Sequence, residues 1–221
     1  ERGRVKVGET VEIVGIRDGY DGILAPERYP AGAVVALDAN AVGAGGGQGS
    51  LLGTGARIDP FRVRSVTADG AVEVRAPGPK HGGLGSGLVG DYIGDVAHHG
   101  GDGQAVYAFQ REDLDRWAER LGREIPNGFF GENLTTVDLE VNEARIGERW
   151  QVGDEVVLQV VSARIPCSTF RGQVGEKGWL KTFTADARPG AYLSVLTPGS
   201  IRSGDPVRVL HRPDHDVTVA L

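Results

Sequence analysis

The chain has 221 residues, 40% of them hydrophobic and 24% charged, which is enough to bury a sizeable core and ordinary for a folded domain. Its formal charge of −6, with no basic face and no interleaved aromatics, argues against nucleic acid as a partner. A single cysteine cannot close an internal disulfide, and no run of about 20 apolar residues and no secretory leader appears. A reducing, cytoplasmic setting without membrane contact follows as the expectation.

With 35 glycines and 11 prolines the chain asks for many turns and short strands, hence a mainly β architecture. In chain order, the alternation after Gly8 in residues 1–18 predicts a strand, and Ala33–Leu37 predicts another. We read residues 1–42 as an N-terminal β-rich segment, 43–55 as a glycine-rich linker and 56–221 as the main domain. In that domain Phe61–Val66 and Ala71–Arg75 have strand periodicity and flank Ala68-Asp-Gly70, a hairpin turn signal.

Lys80 to Gln104 then loses almost all packing residues and gains glycines, aspartates and the pair His98-His99. Ordering such a run is costly, which favours a ligand-binding loop over a merely solvated one. Adjacent histidines on extended chain face opposite ways, so a shared metal is not expected from them. Ala105–Phe109 reads as a buried strand. Arg111–Leu121 reads as an amphipathic helix with Leu114, Trp117, Ala118 and Leu121 on one face and Gly122 as its stop. Gly131 is followed by Glu132 and Asn133, a carboxylate and an amide placed for an apolar-walled pocket or for a plain turn.

Glu155–Val161 alternates as a strand, Pro166 ends it, and Cys167 is presented at its exit. Arg164, three residues upstream, would favour thiolate, whereas a buried and inert cysteine is the competing reading. Gly178–Phe183 then suggests a short helix, and Ala191–Leu196 and Pro206–Leu210 suggest strands with glycine turns between them.

Taken together, His99-Gly-Gly101 with Ala105-Val-Tyr107, Phe130-Gly-Glu-Asn-Leu134, Ile146-Gly-Glu148, Arg164-Ile-Pro-Cys167 and Gly178-Trp179 resemble the MOSC domain, in its stand-alone YiiM-like branch. The resemblance implies a MOSC-type β-barrel with a few short helices, a molybdopterin-type molybdenum cofactor, and Cys167 as molybdenum ligand or sulfur acceptor. Pyridoxal phosphate binding is also associated with such domains. On this reading Cys167, His99, Glu132 and Asn133 are the catalytic candidates. Lys80, His98, Gly100, Gly101, Arg164 and Arg171 are the candidates for holding the cofactor. The implied reaction is reduction of a small N-hydroxylated compound, fed by an external flavin or iron–sulfur electron donor protein. A non-catalytic cofactor or sulfur carrier and a β-barrel binding module with an inert cysteine are the alternatives. The apolar C-terminal stretch suggests a homodimer.

Overall fold

The computed structural model describes residues 10–16 as backbone, and residues 71–91, 93 and 97–220 in full. The strands expected at 33–37 and 61–66, and the linker, lie outside the described residues.

Seven strands form a closed barrel in the order β1-β4-β3-β7-β6-β5-β9. They are β1 (Thr10–Ile16), β3 (Val106–Gln110), β4 (Leu134–Val137), β5 (Arg149–Val152), β6 (Val156–Ala163), β7 (Ala191–Thr197) and β9 (Pro206–His211). Two short strands, β2 (Val72–Val74) and β8 (Gly199–Ile201), pair antiparallel beside it. Three α-helices, α1 (Arg111–Leu121), α2 (Ser168–Val174) and α3 (Trp179–Asp186), and two 3-10 turns, Asp102–Gln104 and Val141–Glu143, complete the described fold. The expectation of a mainly β barrel with a few short helices is met.

The strand expected after Gly8 is present, but it is a stave of the barrel rather than part of a segment beside it. Glu12 pairs with Val137 on one side and Pro206 on the other, which closes the cylinder. The boundary drawn at residue 56 therefore separated a strand from the sheet that it completes.

Strand β3 shows how the core is divided. All five of its residues are buried. Val106 and Ala108 join the barrel interior with Leu134, Trp150, Val160, Leu193 and Val209. Tyr107 and Phe109 face the other way, into an aromatic layer with Trp117, Phe130, Phe170, Trp179 and Phe183. Period-two geometry thus lets one strand serve two cores, so a continuous apolar run replaces the usual alternation. Helix α1 connects β3 to β4, and these two strands are parallel, as a crossover helix allows. The helix lays Leu114 and Trp117 on the aromatic layer and ends on Gly122 at φ 63°.

Candidate functional site

Three segments far apart in sequence bring the site together. Strand β6 runs to Ala163, paired with Ala191 of β7, and leaves the sheet just before Ile165-Pro166, where the missing proline N–H prevents further pairing. Cys167 follows in extended conformation, φ −116° and ψ 174°, immediately before α2. Gly190 lies under this exit because a Cβ there would sit 2.6 Å from the Phe109 ring and 2.7 Å from the Ala108 carbonyl.

The loop before β3 supplies His99. Its backbone is satisfied internally: Gly101 N–H donates to Gly85 O at 2.9 Å, Asp102 N–H to Gly78 O at 2.8 Å, and Lys80 Nζ to His98 O at 2.6 Å. Gly100 N–H donates to Gln104 Oε1 at 3.0 Å. These bonds are how a glycine-rich stretch with few packing residues becomes ordered. They also revise two expectations. The amides of Gly100 and Gly101 are spent inside the loop and are not free to cradle a cofactor. What the positions require is the absence of a side chain, since a Cβ on Gly101 would lie 2.7 Å from the Lys80 backbone.

His99 hydrogen-bonds the Cys167 thiol, and Arg164 lies close enough to act on it by charge. Burial pushes the thiol up, but the His99 bond and the Arg164 charge outweigh it and lower the pKa from the ordinary 9.0 to about 6. The cysteine is half-buried, and its flank packs against the aromatic layer. An inert, sealed thiol does not describe this residue.

Arg164 is buried, and its role differs from the one expected. Its guanidinium donates to the Phe130 carbonyl and stacks 4.9 Å from the Tyr107 ring centroid and 4.1 Å from that of Phe170. Burial opposes its charge, but Tyr107, Tyr192 and Cys167 more than restore it. It is a fixed cation behind the sulfur and is not placed to meet a cofactor phosphate.

Glu132 is also corrected by its surroundings. The carboxylate is fully buried and accepts from Gly128 N–H at 2.6 Å, Phe130 N–H at 3.0 Å and Thr135 Oγ1 at 3.1 Å. It folds the 128–131 turn against the start of β4 and does not line the cavity next to His99. Asn133 does. Its Oδ1 accepts from Tyr107 N–H at 2.8 Å and its Nδ2 donates to Asp91 Oδ2 at 3.2 Å.

That cavity is partly open to solvent and offers about 40 Å³ between Ser86, Asp91, His99, Gln104, Tyr107, Asn133 and Tyr192. It is polar and water-sized, not the apolar-walled pocket expected beside Asn133. The apolar space lies elsewhere: an open groove of about 440 Å³ runs along Ile165, Pro166, Leu180, Thr184 and Ala185, next in sequence to the thiol. Lys80, His98 and Arg171 are exposed around the site, with the Arg171 N–H on the Cys167 carbonyl at 3.1 Å.

The two tyrosines were not singled out from sequence. Tyr107 and Tyr192 pair across β3 and β7 with ring centroids 5.2 Å apart. Strand parity was the available signal, because Val106 and Ala108 inside the barrel force Tyr107 outward. Burial raises the Tyr107 phenol, which Arg164 only partly offsets, and its hydroxyl donates to Pro189 O at 2.7 Å. It is a neutral wall, not an acid or base.

The outer wall of the barrel thus presents the half-buried Cys167 thiol beside His99 and the buried Arg164. Residues 95–208 match the MOSC domain family model, and the chain belongs to that family. It is 32% identical over 130 residues to the uncharacterized protein YflK of Bacillus subtilis (strain 168), covering 59% of this chain and 58% of that protein. It is 30% identical over 131 residues to a protein named Reductase from Gibberella moniliformis, covering 58% of this chain and 23% of that protein. The chain therefore spans little more than half of one curated relative and under a quarter of the other. Among solved structures, YiiM from Geobacillus stearothermophilus aligns with TM-score 0.52 at 29% identity, over 54% of this chain and 61% of that one. YiiM from Escherichia coli shares the fold at TM-score 0.55 and 23% identity, over 68% of this chain and 67% of that one. Among the described residues no helix is long and apolar enough to cross a membrane.

Proposed function

We propose that this chain binds a molybdenum cofactor and reduces small N-hydroxylated compounds, with Cys167 as the sulfur that the protein offers the metal. The observation that carries the reading is the Cys167 thiol, half-buried and lowered to about 6 by His99 and Arg164 inside a MOSC domain. The similarity to a protein named Reductase supports the reaction class.

The donor set fits the cofactor. Among the described residues no group of three His, Cys, Asp or Glu side chains could hold a bare metal ion. A single soft thiolate is what remains to be supplied to a metal that arrives already held by a dithiolene. Exposed Lys80 and Arg171, with His98 at the loop rim, would meet the cofactor's phosphate. Pyridoxal phosphate fits less well: no lysine is among the described residues lining the cavity, so its aldehyde would lack an amine partner there.

When bound, the molybdenum cofactor supplies a two-electron couple. Reduction of R–NHOH to R–NH₂ and water consumes two electrons and two protons, and an external flavin or iron–sulfur donor protein would provide the electrons. The chain's own residues have simpler tasks. Arg164 favours negative charge on sulfur, His99 hydrogen-bonds it, and Asn133 fixes the wall beside Tyr107.

The test is metal analysis of the protein and of Cys167→Ala, both made in a cofactor-producing host, with reduction of an N-hydroxylated purine under a chemical reductant. Molybdenum and turnover in the first, and loss of both in the variant, are expected. Equal molybdenum in the two removes the ligand role, and bound cofactor without turnover leaves a carrier.

A further inference from the structure

The apolar groove of about 440 Å³ is lined by Ile165 and Pro166 on one side and by Leu180, Lys181, Thr184 and Ala185 of α3 on the other. Arg164 turns inward and the next side chain, Ile165, turns out, as extended backbone requires. At 82% exposure Ile165 is the most exposed large aliphatic side chain among the described residues. Small-molecule pockets enclose most of their ligand, whereas this groove is open and carries a protruding side chain, the form of a protein contact. Its charge is also distinctive. Lys181 is the one charged group in the lining, and no acidic side chain is among the described residues there. Along α2 and α3, Arg171, Lys177 and Lys181 are exposed against a single exposed acid, Glu176, because Asp186 is taken by Arg116 at 2.7 Å. On a chain of net charge −6 this is a locally positive face. A two-fold contact with a second copy would bring Lys181 toward its own equivalent, and like charges across an interface are unfavourable.

We infer that this groove docks the electron-donor protein, through an acidic surface on that partner bearing an apolar side chain that packs between Ile165 and Leu180. The identity of the partner as a donor rests on the proposed function. Pro166 alone separates Ile165 from Cys167 in the chain, so a protein seated here stands beside the sulfur offered to the metal, where electrons must arrive. The apolar lining supplies affinity, and Lys177 and Lys181 at the rim steer the encounter.

Two acidic carriers, a flavodoxin and a plant-type 2Fe–2S ferredoxin, serve as probes in calorimetric titrations of the full chain. At least one is expected to bind, with affinity falling several-fold between about 0.05 and about 0.3 M salt as the rim charges are screened. Lys181→Glu should weaken binding about tenfold at the lower salt, and Ile165→Asp at least as much. Leu210→Asp, at an exposed leucine of β9 outside the groove, should bind as the parent does. The side chains replaced are all exposed, and unchanged thermal midpoints verify that the variants fold. Failure of both carriers to bind, or binding indifferent to Lys181→Glu and Ile165→Asp, overturns the inference. So does dimerisation of the chain that Ile165→Asp abolishes, or a naphthalene sulfonate that fills the groove where neither carrier binds, since these give it to a second copy or a small ligand. Molybdenum content is read separately. Carrier bound at this face without molybdenum would remove the metal and keep the dock, and molybdenum without a bound carrier would do the reverse.

Discussion

Cys167 and Glu132 were both expected to do chemistry, and the groups around each separate their roles. Alkylation of Cys167 by iodoacetamide should reach half its maximal rate near pH 6 instead of 9, and His99→Ala should move that midpoint upward, as stopped-assay rates across pH will show. The same shift has a stability consequence with a definite sign. The folded pKa lies below the unfolded one, so the thiolate stabilises the fold fully above about 9 and this contribution is lost as pH falls toward about 6. The stability difference between the protein and Cys167→Ala should therefore grow with pH across that window in urea titrations. Glu132→Gln places an amide where two backbone N–H groups and a hydroxyl need an acceptor. It should cost about 1–3 kcal/mol in urea denaturation while leaving the alkylation midpoint of Cys167 in place.

At the scale of single elements, α3 ends on Ala187 at φ 55°, a left-handed position usually given to glycine. Ala187→Gly removes the Cβ clash there and should raise stability by about 1 kcal/mol, seen as a higher midpoint in thermal unfolding. Helix α1 was legible in the sequence because Leu114, Trp117 and Leu121 repeat at helical spacing and Gly122 stops them. Strands β6, β7 and β9 were legible from alternation. Helix α2 was not, since seven residues with Gly172 inside show no helical period, and β4 was hidden because Thr135 and Thr136 are buried in it where apolar residues would be expected. At the site, the motif residues named Cys167 and His99 as candidates. Only the fold could show that Arg164 stacks behind the sulfur, or that Glu132 is consumed by a turn, because those assignments depend on contacts across 34 positions and on buried backbone groups.

For the molecule as a whole, the decisive pairing is the one between β1 and β9, which converts an open sheet into a cylinder. A chain beginning at residue 56 would lack β1 and leave β4 and β9 as unpaired edges. It should aggregate or elute as larger species than the full chain in size-exclusion chromatography, because exposed edges template further pairing. The same closure sets an order on synthesis. Strand β1 can pair with β4 midway through synthesis, but Thr10 finds its partner at Arg208, so the other edge of β1 waits until nearly the last stave has emerged. Contacts between such distant parts of a chain form late and slowly, and nascent protein must shield that waiting strand before the ring can shut.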